Sequence, residues 1–257
     1  MSEKFDAWMA SLEARHLADL RFPEVSRALR ALSSTYVERR GRIGEGAALS
    51  GAGKRAAFAL FYGPLHYLLV QAIVAELPGA AEIRPTLVDL GCGTGAASAA
   101  WAGSSATPPG TMTIGVDRHR WALDEATKAF RAFGLPLRTR LADVAAADFD
   151  LSNLHRGARA SFLAAFALNE LPDTGREAVL SRLLDRAAAG DQVLIVEPLA
   201  GSAAPWWKKW AAAFESAGGR ADEWRFRAAL PPIVAKLDRA AGLHHNELTG
   251  RSLSMHL

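Results

Sequence analysis

The sequence contains one cysteine in 257 residues, Cys92, so this chain alone supports neither a disulfide framework nor a multi-cysteine zinc or iron–sulfur site. It lacks an uninterrupted apolar run of the roughly 18 residues a membrane span needs, and no N-terminal stretch joins a basic start to an apolar core as a signal peptide does. A cytoplasmic protein without a membrane partner is expected. Neither charge sign dominates: 30 Lys and Arg stand against 27 Asp and Glu, and the formal net charge of +3 falls short of the concentrated basic face of an electrostatic nucleic-acid binder. Internal repeats and long low-complexity tracts are absent. Half of the residues are hydrophobic, and the length accommodates one domain with an extension.

The most informative stretch is Thr86-Leu-Val-Asp-Leu-Gly-Cys-Gly-Thr-Gly95. Its apolar, β-favouring start predicts a buried parallel strand that turns sharply into the small-residue helix Ala96–Trp101. Glycines at 91, 93 and 95 let the backbone take positive φ and approach a ligand with no Cβ in the way, and the helix start offers unpaired N–H groups. The spacing is G-x-G-x-G, distinct from the G-x-G-x-x-G of dinucleotide sites. Taken alone, such a loop is equally a tight strand-to-helix turn. Cys92, inside it, reads as a small packing residue rather than a nucleophile.

From residue 86 the pattern alternates strand and helix, as in a parallel α/β sheet. A second strand over 111–117 ends in Asp117, placed where doubly wound folds use an acid to accept hydrogen bonds from ribose hydroxyls. Asp117 can also cap the helix predicted over 120–133. A third strand over 137–142 runs into Asp143 and Val144. The fourth, an apolar run over 160–168, ends in Asn169-Glu170-Leu171-Pro172, which should face the ligand crevice outside the strand ends. A helix over 174–189 closed by Gly190 leads to a fifth strand over 192–197. Trp206, Trp207, Trp210 and Phe214 follow at helical spacing; a stacking platform is conceivable, and core packing is the favoured reading. Residues 218–226 read as a charged loop. A helix over 231–241 and a hairpin of 243–248 and 252–257, turning at Thr249-Gly-Arg251, complete seven strands.

Residues 1–84 read as a helical cap on a domain spanning 85–257. Phe5, Trp8, Met9, Leu12 and Leu17 define one helix, and Val25, Leu29, Leu32 and Tyr36 a second. A polar loop begins at Glu38. The long helix over 54–77 is apolar on most sides, so it should lie between the sheet and the first two helices.

Val88-Asp-Leu-Gly-Cys-Gly-Thr-Gly95 resembles motif I of the class I S-adenosylmethionine-dependent methyltransferases. The resemblance implies a Rossmann-like fold and S-adenosylmethionine as cofactor, with Asp89, Gly91, Gly93 and Gly95 around its methionine part and Asp143 near its adenine. Cys92, Arg118 and Val144 flank these positions, and Asn169 would orient the methionine end. Asn169-Glu-Leu-Pro172 departs from the Asn or Asp, Pro-Pro and aromatic of members that methylate exocyclic nitrogens. More loosely, Leu32–Arg40, the helix before the motif, Asn169–Leu171 and Val196–Pro198 resemble methyltransferase-like proteins associated with the mitochondrial small ribosomal subunit, but the C-terminal cysteine cluster of that family is lacking.

A small-molecule methyltransferase is therefore expected, its acceptor covered by the cap with its aromatics Phe61, Tyr62 and Tyr67. A ribosome or RNA partner, with the chain either modifying RNA or binding S-adenosylmethionine without catalysis as an assembly factor, is the alternative, motivated by Arg39, Arg40, Arg42, Lys54, Arg55 and the tryptophans. Methyl transfer is an in-line displacement, and a general base is needed when the acceptor is a hydroxyl. Glu170 at the crevice and His66 on the capping helix are the candidates, each with an ordinary structural role open to it. His244 and His245, near the terminal hairpin, read as less well placed for chemistry. No third ligand at recognisable spacing accompanies them, and no metal is assigned.

Overall fold

The computed structural model describes residues 2–38, 49–104, 110–146, 159–199, 204–227 and 229–257, and of 35–38 the backbone alone. The polar loop expected after Glu38, with Arg39, Arg40 and Arg42, lies outside the described residues, as does the middle of the loop after Gly103.

The described residues form a seven-stranded sheet: β1 (Thr86–Leu90), β2 (Met112–Asp117), β3 (Leu137–Leu141), β4 (Ser161–Ala165), β5 (Gln192–Glu197), β6 (Arg220–Arg227) and β7 (Glu247–Met255), in the order 3-2-1-4-5-7-6. β1 to β5 are parallel and β7 runs antiparallel to both β5 and β6. The expected doubly wound, mostly parallel seven-stranded sheet is thus observed.

Its last two strands differ from those the sequence suggested. Residues 220–227 form a strand rather than a charged loop: Trp224 and Phe226 alternate with Glu223, Arg225 and Arg227, one face half-covered and the other in water. The presumed turn at Thr249-Gly-Arg251 is the middle of β7. A Cβ on Gly250 would stand 2.9 Å from Leu69 Cδ2, so the glycine there serves close helix-on-strand approach, not a reversal. The antiparallel pair is consequently β6 with β7.

Nine α-helices surround the sheet among the described residues: α1 (Glu3–His16), α2 (Phe22–Glu38), α3 (Ala52–Ala57), α4 (Gly63–Glu76), α5 (Ala96–Ala102), α6 (Arg120–Phe133), α7 (Asp173–Ala188), α8 (Trp207–Ser216) and α9 (Pro232–Ala241). The strand side chains alternate faces. Leu87, Leu163, Leu194 and Val196 join a core with Phe5, Trp8, Leu29, Phe61, Val70 and Trp101, whereas Val88, Phe162, Val193 and Ile195 pack with Val179, Leu183, Trp207 and Phe214. One continuous hydrophobic core therefore joins residues of the first two helices to the sheet. Glu125 of α6 is buried and takes Arg15, His16 and Lys128 as partners, which tethers α1 to α6.

α3 and α4 are joined without a break by a five-residue π-helical segment, Phe58–Tyr62. The resulting 25-residue helix, Ala52–Glu76, is long and apolar enough to cross a membrane by length and composition. Its apolar side chains instead occupy the core, where Tyr67 meets Phe5, Trp8 and Phe133.

Candidate active site

The strand order reverses at β1: β2 and β3 extend to one side and β4 to the other, which opens a crevice beyond the carboxyl ends of β1 and β4. Gly91 (φ +74°) sits there, and a Cβ on it would come within 2.6 Å of the Ala167 Cβ after β4. The amides of Gly91 and Cys92 donate to the Val116 carbonyl at 2.8 and 2.9 Å. Gly93 N–H donates to Asp117 Oδ2 at 2.9 Å, and His119 N–H donates to Oδ1 at 2.7 Å. One carboxylate thus holds the glycine loop and the approach to α6 together. Burial raises the pKa of Asp117, opposed by those two amides.

A cavity of about 490 Å³ fills this crevice. Asp89, Gly91, Cys92, Gly93, Asp117, Arg118, Asp143, Val144, Asn169 and Glu170, all expected at the site from sequence, line it together with His66. Gly95 is absent from its wall: a Cβ there would be 2.9 Å from the Ala126 Cβ, so Gly95 serves close packing of α5 on α6. Cys92 lies against Gly115 of β2, and burial raises its thiol well above the ordinary value, which keeps it protonated.

Asp89 is the most unusual group. It is 1% exposed, and its Oδ2 has no hydrogen-bond partner. Burial pushes its pKa up to about 7, against a hydrogen bond with Ser98. A buried carboxylate oxygen without a donor, in the wall of a cavity, is suited to a cationic ligand group.

Beyond β4 the chain takes a strained step. Phe166 has φ 58°, a conformation a bulky side chain seldom adopts, and its ring stacks on His66 with centroids 3.8 Å apart. Burial pushes His66 down to about 3, so its imidazole is neutral at physiological pH. Phe58, Tyr62 and His66 recur every fourth residue across the π-helical turn and form an aromatic wall with Phe166.

Glu197, at the end of β5, was named in the sequence only within the Val196–Pro198 resemblance and not as a site residue. It accepts from Leu168 N–H at 2.8 Å and from Asn169 Nδ2 at 2.7 Å, while Asn169 Oδ1 accepts from Trp206 Nε1 at 3.0 Å. Burial pushes Glu197 up to about 8, with Glu170 adding to the rise and Arg251 opposing it. The amide of Asn169 is thus held between an indole and a carboxyl. Trp206, Trp207 and Trp210 are buried, as the core reading held; the nearest signal for Glu197 was its position as the last residue of an apolar strand.

No protein-family model matches the sequence, and no curated protein matches it. Similar solved structures include an O-methyltransferase family protein from Burkholderia thailandensis, at 19% identity over 90% of this chain and 71% of that one, TM-score 0.53. The mitomycin 7-O-methyltransferase is 16% identical over 96% and 71% of the two chains, TM-score 0.49. An O-methyltransferase from neocarzinostatin biosynthesis, solved with S-adenosylmethionine and 2-hydroxy-5-methyl naphthoic acid, is 16% identical over 100% and 74%, TM-score 0.49. The chain has the class I methyltransferase fold.

Within that fold, the wall opposite the strand ends is helical. Ser33 of α2, Leu49, Phe58, Tyr62 and His66 contribute to it, and so do Leu243 and His245 from the connection between α9 and β7. His245, read from sequence as less well placed for chemistry, therefore lines the cavity. Its Nδ1 lies 2.5 Å from Asp238 Oδ1, and its backbone N–H donates to Asp238 Oδ2 at 2.8 Å.

Proposed function

We propose that this protein is an S-adenosylmethionine-dependent methyltransferase whose acceptor is a small molecule held between the strand ends and the helical cap of residues 1–84. The observation that carries the reading is the shared cavity: the glycine loop and acids form one side, and Phe58, Tyr62, His66 and Phe166 the other. Cavities of this size with apolar walls and a few polar groups are the usual design for small ligands.

The residues fit the cofactor. Asp89 offers an unpartnered buried oxygen to an ammonium group, Gly91 and Gly93 leave room for close approach, and Asp117, beside the glycine loop, suits ribose hydroxyls. Asp143, exposed at the rim, and Val144 beneath it suit the adenine end. When bound, the cofactor supplies an electrophilic methyl group on a sulfonium. The chain aligns an acceptor with it and keeps water out; Phe58, over Gly93, and Phe166 do the excluding. Glu170 faces the cavity as a further candidate base, whereas His66 is too weakly basic as the cavity stands to hold a proton at neutral pH.

Calorimetry with S-adenosylhomocysteine, followed by transfer of a labelled methyl group to fractions of a cell extract, tests the reading. Binding that is lost in Asp117→Ala, and label in the low-molecular-mass fraction, are expected. Ser33→Trp, which fills the cap side, should retain binding and stop transfer. No binding by the intact protein would overturn the reading, and label confined to RNA would replace it with the RNA-modifying alternative.

A further inference from the structure

His245 lies between two spaces. On one side it lines the main cavity with Leu243, and on the other it lines a shallow depression with Asp238, Arg239 and His244. Its side chain is 37% exposed while that of Asp238 is 6% exposed. Asp238, on the buried face of α9, is fixed by its helix and by the backbone N–H of His245. A carboxylate can only accept, so Nδ1 of His245 carries the hydrogen toward Asp238. The lone pair of the neutral ring is then on Nε2. Phe61, fully buried, meets the imidazole edge-on at 5.7 Å and limits its rotation.

We propose that His245, oriented by Asp238, is the base that removes the proton from an aromatic hydroxyl of the acceptor and delivers it to solvent. The proposal rests on the methyltransferase reading and names its acceptor class. A hydroxyl acceptor must lose its proton as it is methylated, and a carboxylate-oriented imidazole in the cavity wall suits that step; Phe58, Tyr62 and Phe166 in the wall of the same cavity favour a flat ring. As the acceptor O–H bond breaks, its proton bonds to Nε2 of His245. The oxygen electron pair forms the new bond to the methyl carbon, and the electron pair of the breaking carbon–sulfur bond stays on sulfur. The imidazolium then returns its proton to water on the outer side.

Two other cavity groups are poorly suited to this step. The Tyr62 phenol, raised to about 12 by burial, holds its own proton, and His66 is pushed to about 3. The titratable and charged groups that share its two walls include Asp238 and Arg239 on α9 and His244 beside it, and Tyr62, His66, Glu170 and Glu197 in the main cavity.

The probes are 4-nitrophenol and 4-nitrocatechol, whose ionisation is read by absorbance, added to the intact protein saturated with S-adenosylhomocysteine. Bound probe should ionise at least about one pH unit below its free value, roughly a tenfold change in ionised fraction. His245→Gln should abolish the shift while its affinity for S-adenosylhomocysteine stays parental. Asp238→Asn should weaken the shift and move its pH midpoint, and Asp238→Glu should restore part of it, which a purely structural role for Asp238 would not do. A shift that persists in His245→Gln, or neither probe binding or ionising although S-adenosylhomocysteine binds, overturns the proposal alone. Failure of the intact protein to bind S-adenosylhomocysteine overturns the methyltransferase reading and this proposal with it.

Discussion

Phe166 lies nearly parallel to His66, with 10° between the ring planes, and so joins the end of β4 to the long helix Ala52–Glu76 across the cavity. The contact is made from a backbone conformation that only glycine adopts without strain, since Phe166 has φ 58°. Strain of this kind persists where surrounding packing over-determines it, and here it aims an aromatic ring into the wall of the cavity.

Replacing Phe166 separates the two effects. Phe166→Ala removes the stacked ring, an interaction of about 0.5–1.5 kcal/mol beyond its buried area, and keeps the strain. Phe166→Gly removes both, so it should be the more stable of the two variants by up to about 1 kcal/mol, although glycine ordinarily destabilises a folded chain. Urea unfolding of the pair decides the matter, and an alanine variant as stable as the glycine variant would show the backbone to be relaxed.

Asp89 should make cofactor binding depend on pH. With its pKa raised to about 7, the carboxyl is protonated in the free protein below neutrality and must ionise to pair with an ammonium group. Affinity for S-adenosylhomocysteine should therefore increase as pH rises from 6 to 8, by at most about tenfold per unit. Asp89→Asn should bind more weakly and flatten that part of the profile. Calorimetry across the range measures both, and an unchanged slope in the variant would remove Asp89 from the binding equilibrium.

Glu197 and Asp89 also set the stability of the free protein. Both folded values, about 8 and about 7, lie above the ordinary carboxylate values, so the native state holds protons that the unfolded chain releases. Their contribution is fully present below the unfolded values near 4 and is lost as pH rises through 7 and 8, at up to about 1.4 kcal/mol per unit for each group. The protein should be less resistant to urea at pH 9 than at pH 5. Glu197→Gln should reduce that difference; if it persists undiminished, burial of Glu197 is not its source.

The glycine loop is a steric prediction. Gly91→Ala must place a methyl group 2.6 Å from the Ala167 Cβ in a left-handed backbone, and Gly95→Ala one 2.9 Å from the Ala126 Cβ. Each should destabilise by about 1–3 kcal/mol through overpacking. Gly93, whose added Cβ would come no closer than 3.9 Å to the Phe58 ring, has room, and φ +52° is its main cost. Thermal unfolding should rank Gly93→Ala as the mildest of the three, and the reverse order would contradict the loop geometry.

What the sequence determined by itself was whatever rests on local periodicity and short-range turn chemistry. An apolar run into a glycine loop, followed by alternating strand and helix, is sufficient for the β1–α5 turn, for the acids at the ends of β1 and β2, and for a mostly parallel sheet, because each signal lies within one element and its neighbour. The tertiary structure decided what depends on partners distant along the chain. β6 was hidden because its charges face water while Trp224 and Phe226 find cover only when β7 pairs beside them, and Gly250 looked like a turn until Leu69 came to lie on it. Glu197 became a site residue only when Asn169, 28 positions earlier, folded onto it. His245 looked poorly placed because sequence order says nothing of the cavity it shares with His66, 179 positions earlier; burying Asp238 on α9 against the core is what turns the imidazole to that wall.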